Sequence, residues 1–402
     1  MTAKKTSPAP PIRFPEFEGD WIERKGSEYF ASSRTKGTAG LPIYSVTQND
    51  GLVRRDSLDR QIGVDAGFEQ NLRAEKDDLV YNMMRMWQGA VGLASESCMV
   101  SPAYVVLRPR KTADSKFFLH MFNRKRTLYL LWAFSYGLTN DRLRLYYKDF
   151  AQIPFAAPDI DEQEKIANFL GSVDQKIAHL ETKRSLLMQY KKGVMQQMFS
   201  KQLRLKDDDG KDFPDWEETT LGEVSEPPKY GMNAAAATFD GVNKYVRITD
   251  IDEATGEYKQ DKWVSPAGGG DPNCRLQIGD IVVARTGASV GKTYLYNPND
   301  GAVYFAGFLI RFRILSANAA FINYQFDLQR YRNWVVVMSA RSGQPGINAE
   351  EYCSLPIYLP STREQDRITR CLQSFDDKIR EVSLRITLLE EFKNGLLQQM
   401  FV

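Results

Sequence analysis

Apolar side chains recur in two long, matching patterns. In the first, Ile166, Leu170, Val173, Ile177, Leu180, Leu187, Val194 and Met198 follow alternating steps of four and three, with Arg184 and Lys191 filling two further positions of the same series. In the second, Ile368, Leu372, Phe375, Ile379, Val382, Ile386, Leu389, Leu396 and Met400 repeat that spacing, with Lys393 interrupting it. A stripe this narrow predicts a heptad seam between paired helices, because a helix lying on a globular core carries a wider apolar face. The shared lysines are expected to snorkel out of the seam and help set its register. Each run follows a proline and opens with Asp159-x-x-Glu162 or Ser361-x-x-Glu364, which predicts a capping box. Roughly 37 residues per helix give a rod of about 55 Å.

The two patterns are copies. A shift of 202 residues lays 150–200 over 352–402 without a gap, matching Pro154 to Pro356, Glu162-Gln163 to Glu364-Gln365, Asp174 to Asp376 and QQMF to QQMF. Ahead of each copy lie short β-branched and aromatic runs broken by Gly, Asn and Asp, IYSVTQNDG and EKDDLVYN before the first and YVRITDIDEATG and QIGDIVVAR before the second. These predict strands and turns with some helix. The expected order is a flexible tail over 1–12, a globule over 13–152, a long helix over 153–200, a linker over 201–212, a second globule over 213–354 and a second long helix over 355–402. The linker is short, and a globule of about 140 residues has a radius of gyration of only about 14 Å. The second helix must therefore run back along the first. The predicted fold is α+β: two α/β globules separated by two long antiparallel coiled-coil helices, with an internal pseudo-twofold.

Composition narrows the function more than it changes this picture. No long apolar run and no apolar stretch near Met1 occur, so neither a membrane span nor a leader peptide is expected. Four cysteines without CxxC spacing suggest a reduced, cytoplasmic, metal-free chain. Two histidines, His120 and His179, leave little room for Ser-His or Cys-His catalysis. The net charge of +2 is low for a lone nucleic-acid binder and points to a partner that adds charge.

Two stretches imitate catalytic motifs. GASVGKT, at 287–293, has three residues between Gly287 and Gly291-Lys292 where a phosphate-binding loop needs four. PDIDEQEK followed by Asp174-Gln175-Lys176 resembles a metal-dependent nuclease pattern, but on a helix its carboxylates do not converge from strand edges. Asn297-Pro-Asn-Asp300 lacks the second proline and the aromatic of an Asn-Pro-Pro-aromatic motif. No catalytic residues and no metal ligands are assigned.

The remaining candidates are polar, Gly-rich loops. In the first globule they hold Arg34, Lys36, Thr47, Gln48, Asn49, Arg85, Trp87, Gln88, Tyr136 and Arg142; in the second, Tyr230, Arg247, Thr249, Arg285, Thr286, Ser289, Lys292, Arg341, Ser342 and Gln344. Arg suits guanine and Gln or Asn suits adenine in the major groove, while Lys and hydroxyls hold phosphates.

Taken in order, the duplicated P-x-x-x-P-x-x-x-E-Q run, the junction GVMQQMFSKQLRLKDDDGKDFPDW, VYNMMRMWQGAVG with VSPAY, and GDIVVARTGASVGKT resemble the specificity subunits of type I restriction-modification systems from about Phe14 onward. The resemblance implies two target-recognition domains, each reading half of a split site on double-stranded DNA. It implies paired helices that set the spacing and dock two methyltransferase subunits, with restriction/translocase subunits joining. S-adenosylmethionine, ATP and Mg would be used by those partners, and this chain would be non-catalytic. The two competing readings are a metal-dependent nuclease or nucleotide hydrolase using the two imitations, and a coiled-coil adaptor binding only proteins.

Overall fold

A computed structural model describes residues 5–58, 67–139, 142–253, 255–259, 262–340 and 345–402. The chain forms two compact units that cut across its linear order: residues 1–183 with 382–402, and residues 184–381.

The first unit is built on a four-stranded antiparallel sheet in the order Phe30–Ser33, Tyr104–Pro109, Leu79–Asn82, Val91–Leu93. Strand residues alternate between faces, and here both faces are covered. Leu79, Tyr81, Val105 and Leu107 pack into the aromatic core beneath α1 (Ser115–Phe122) and α2 (Lys125–Ala133), whereas Val80 and Val106 pack against the opposite layer. That layer is a second sheet, Leu52–Arg54, Ile43–Val46, Cys98–Val100, Leu72–Ala74, with one parallel pair. Asp114 starts α1 by accepting the Phe117 amide at 2.7 Å.

The second unit repeats the central sheet as Lys229–Tyr230, Leu309–Arg313, Asp280–Ala284, Thr293–Leu295. Ile281, Val283, Ile310 and Phe312 face α4 (Ala319–Phe326) and α5 (Gln329–Ser339), and Val282, Ala284 and Leu309 face the other side. The turn before the central strand is the same in both units. Asp78 accepts the Glu75 amide at 2.9 Å and Asp280 the Gln277 amide at 2.8 Å. Its left-handed position is held by Asp77 (φ 70°) in one unit and Gly279 (φ 89°) in the other.

The long helices are α3 (Ile160–Phe199) and α6 (Thr362–Gln399). In the first unit, Ile166 and Leu170 share a core with Leu396 and Met400, and Lys393 Nζ lies 2.6 Å from Asp174 Oδ1. In the second, Met195 and Met198 share a core with Ile368 and Leu372, Lys191 Nζ lies 2.5 Å from Asp376 Oδ1, and the Tyr190 and Phe375 rings are 5.5 Å apart. In each unit one residue number rises as its partner's falls, so the helix segments there are antiparallel. Val173, Leu180, Val382 and Ile386 are buried, and Ile177, Leu187, Val194, Phe375, Ile379 and Leu389 are half-buried. Lys191 and Lys393 do more than snorkel, because each ends on a carboxylate of the opposite helix.

The duplicated helix ending has a packing reason. Phe401 lies against Trp21 and Phe117, at 6.1 and 5.0 Å between ring centroids; Phe199 lies against Trp216 and Phe321, at 5.9 and 5.2 Å. Arg124 holds the first of these ends by donating to the carbonyls of Leu397, Val402 and Phe401. Each long helix thus ends in the aromatic dock of the globule from which the other helix starts.

Three expectations change. Thr6–Ser7, within the expected tail, pair with Trp21–Lys25, and the Ile12 amide donates to Gln399 O at 3.0 Å; an open sheet edge offers unpaired backbone groups that the chain start satisfies. Arg204, within the expected linker, forks onto Glu364, just as Arg13 forks onto Glu162 at 2.8 and 2.7 Å. Both glutamates are almost fully buried and need a paired cation. Their carboxylates therefore serve these arginines rather than a capping box, and Ser361 Oγ has no hydrogen-bond partner. Finally, Pro154–Ala157, ahead of α3, forms a strand on Trp21–Lys25, and Pro356–Leu359 does the same on Glu217–Thr220. The adjacent glutamines fasten helix to globule: Gln163 and Gln365 accept the amides of Asp114 and Asn318, each at 2.9 Å.

Candidate nucleic-acid interface

In each unit the loop leaving the central strand is pinned in the same way. Leu145 N donates to Met83 O, and Ile347 N to Arg285 O, both at 2.9 Å. Donors and acceptors are each 202 residues apart. The loop over 83–89 and the segment ending at 145 therefore meet in the first unit, as do the loop over 285–292 and the segment from 345 in the second.

In the first unit the loop turns through Met86–Gln88, anchored by the fully buried Met86. Gly89 sits at φ 88°, where an added Cβ would come within 2.8 Å of Asn123 Oδ1, so the turn lies tight on the α1–α2 junction. Arg85 is exposed and touches Gln88, and Trp87 Nε1 donates to Met84 O. Tyr136 is exposed and pairs as a bridge with Arg144, beside exposed Arg142. Thr47, Gln48 and Asn49 form the hairpin turn whose end at Gly51 and Leu52 presses on Gly92. Thr47 Oγ1 accepts the Asp50 amide, so that hydroxyl shapes the turn. Arg34 and Lys36 are exposed on the run after Phe30–Ser33, and neither forms an ion pair among the described residues.

In the second unit Arg285 lies over the Tyr230 ring at 5.1 Å and near Phe308 at 6.0 Å, and its Nε donates to Gly307 O. Thr286 bridges to Gly346. Gly291 (φ 85°) brings the loop against Val335 of α5, and Tyr331 donates to its carbonyl at 2.8 Å. The structure thus gathers Tyr230, Arg285, Thr286 and half-buried Ser289. Lys292 reaches Glu253 at 3.1 Å, which ties the loop to the segment holding exposed Thr249. Arg247 forks onto Asp250, both contacts at 2.8 Å, so its guanidinium is occupied by a local ion pair. Arg341, Ser342 and Gln344 lie outside the described residues.

The catalytic imitations have other uses. A strand, Thr293–Leu295, starts at the last residue of GASVGKT, where a phosphate loop needs a helix. Asp174 and Asp376 receive the seam lysines.

Sequence reading passed over two exposed groups. One is aromatic, with Tyr129 and Trp132 on α2 and Phe308 beside Arg285. The other is an apolar pair on each long helix, Leu186 with Tyr190 and Leu388 with Phe392, again offset by 202 and all more than half exposed. The signal for the second was present in part, since Leu186, Leu388 and Phe392 lie off the heptad seam, while Tyr190 also touches Phe375 of the opposite helix.

The type I restriction modification DNA specificity domain (Methylase_S) matches residues 19–188 and again 214–390. No curated relative matches the chain in sequence. Among solved structures, the chain is similar to the crystal structure of a type I restriction-modification system S subunit from M. genitalium, with TM-score 0.64, 15% identity, and coverage of 98% of this chain and 99% of that one. It is also similar to a structure addressing complex assembly and conformational transition of the type I R-M system, with TM-score 0.53, 16% identity, and coverage of 97% and 99%. These likenesses agree in fold with the family match, and the chain belongs to the type I restriction-modification DNA specificity family, carrying its specificity domain twice.

Proposed function

We propose that this chain is the non-catalytic, sequence-reading subunit of a type I restriction-modification assembly, each unit reading one half of a split site on duplex DNA. The supporting observation is one loop scaffold built twice with unlike side chains. Arg85, Trp87 and Gln88 stand in the loop of the first unit, Arg285, Thr286 and Ser289 in that of the second. Two unlike half-sites follow.

The repeated pairs Leu186–Tyr190 and Leu388–Phe392 give two equivalent apolar footholds, which suit two methyltransferase subunits. Those subunits would use S-adenosylmethionine to modify adenine, and restriction/translocase subunits would use ATP and Mg. The setting is cytoplasmic; among the described residues no helix is long and apolar enough to cross a membrane.

Mapping modified adenines in cells carrying the full chain with its methyltransferase subunits tests this reading. The expected result is a split motif, of which one half alone changes when 213–354 is exchanged for another specificity domain. An unsplit motif, or magnesium-dependent turnover of DNA or ATP by the purified chain, contradicts it. A chain that binds its methyltransferase but imposes no sequence preference would instead be an adaptor.

A further inference from the structure

The outward face of α2 is unusual for a surface helix. Its inner side buries Thr127 and Leu131, while Lys125, Arg126, Tyr129 and Trp132 all fall on the exposed arc. Tyr129 is 64% exposed and Trp132 43%, and their rings lie 5.7 Å apart at 33°, forming one continuous aromatic surface. Exposed Tyr136 and Leu138 follow the helix in sequence. Leaving this much aromatic surface in water has no packing benefit, so a ligand that covers it would gain by doing so.

The surroundings say what kind of ligand. Lys125 and Arg126 are exposed on the same arc of α2, exposed Arg85 stands in the candidate reading loop and exposed Arg142 and Arg144 in the segment that meets it, and none of the five forms an ion pair among the described residues. Between Arg124 and Lys148 the sequence has six basic residues against one acidic residue, Asp141. The helix also lies against the candidate reading loop, since a Cβ added at Gly89 of that loop would meet Leu128 of α2 at 3.8 Å. Exposed aromatic rings on a helix face that also carries exposed cations suit a polyanion that also presents apolar edges. Nine helical residues span about 13 Å, and the major groove of duplex DNA, about 12 Å wide, admits a helix.

We propose that the Tyr129–Trp132 face of α2 is a specificity-determining DNA contact of the first unit, entering the major groove with its rings against base edges and thymine methyls while Lys125 and Arg126 hold flanking phosphates. This rests on the reading of the chain as a DNA specificity subunit and adds the element that does the reading. The matching positions of α5 are Asn333 and Val336, both exposed. The second unit therefore presents a different surface, and the aromatic contribution belongs to one half-site alone.

The test is selection from a pool of random-sequence duplexes by the full chain assembled with its methyltransferase subunits. The wild-type complex is expected to enrich a split motif. The double variant Tyr129→Ala, Trp132→Ala should lose sequence preference in one half and keep the other, with affinity for the wild-type motif falling roughly tenfold or more. Tyr129→Phe with Trp132→Phe should retain both halves, which separates loss of the rings from loss of the fold. Lys125→Gln with Arg126→Gln should weaken all duplexes alike and lower the salt slope by about two. Retention of both halves by the alanine variant overturns the proposal, as does loss of both. A variant that keeps full DNA preference but loses association with a protein subunit reassigns the face to protein docking. Failure of the wild-type complex to enrich any motif would instead remove the underlying reading.

Discussion

His120 and Tyr324 stand at equivalent places beside the carboxylates that receive the seam lysines. Tyr324 donates to Asp376 Oδ2 at 2.6 Å; His120 Nε2 lies 4.0 Å from Asp174 Oδ2. Burial pushes the His120 imidazole down to about 4 from its ordinary 6.5, with Lys393 adding to the fall and Asp174 opposing it. As pH drops below 6.5, the unfolded chain takes up a proton that the folded chain refuses. Stability from this site is full above about 6.5, declines between 6.5 and 4, and levels off below. His120→Tyr should remove that acid-dependent segment from a urea-unfolding series recorded across the window. An unchanged slope would place the proton uptake elsewhere. A second residue prediction concerns Arg285, whose guanidinium is pre-set over Tyr230. Arg285→Ala should cost about 1–3 kcal/mol of DNA affinity and relax one base position of one half-site, read by binding to single-base variants of the motif. Equal loss on every variant would make it a phosphate contact. At this scale the sequence disclosed the seam lysines, because they interrupt a strict apolar series. It did not disclose Asp174 and Asp376 as their partners, because that pairing depends on a register between segments about 200 residues apart. Arg247 looked like a base reader for a related reason, since composition cannot reveal that its fork already closes on Asp250.

Among the elements, the two long helices were the most legible, since ten heptad positions per copy leave few alternatives. Their ends were not. The QQMF phrase announced a duplication, but its use as an aromatic plug required the fold. Phe401→Ala should destabilise the first unit by about 3–5 kcal/mol, and Phe199→Ala the second by a similar amount. Hydrogen exchange should locate each effect: faster exchange in α1 and the Leu79–Asn82 strand for the first, and in α4 and the Asp280–Ala284 strand for the second. Exchange that rises equally in both units for either variant would show that the plugs are not local. The expected capping boxes misread Glu162 and Glu364 because an N3 glutamate looks the same in sequence whether it turns back to the cap or forward to an arginine. Arg13 and Arg204 are distant in sequence or hidden in a charged run, so only burial revealed the pairs.

For the whole molecule, the reciprocal exchange of helix ends makes a clean manipulation possible. Each unit's internal contacts stop between Lys183 and Arg184 on α3 and between Glu381 and Val382 on α6. Seven residues inserted at both points add about 10 Å of helix, preserve the heptad phase and leave every contact within each unit in place. If the helices hold two independent readers at a set separation, mapped adenine methylation should show both half-sites unchanged and the gap between them longer by about three base pairs, at 3.4 Å each. Methylation at the original spacing, or a change in either half-site, would contradict the account.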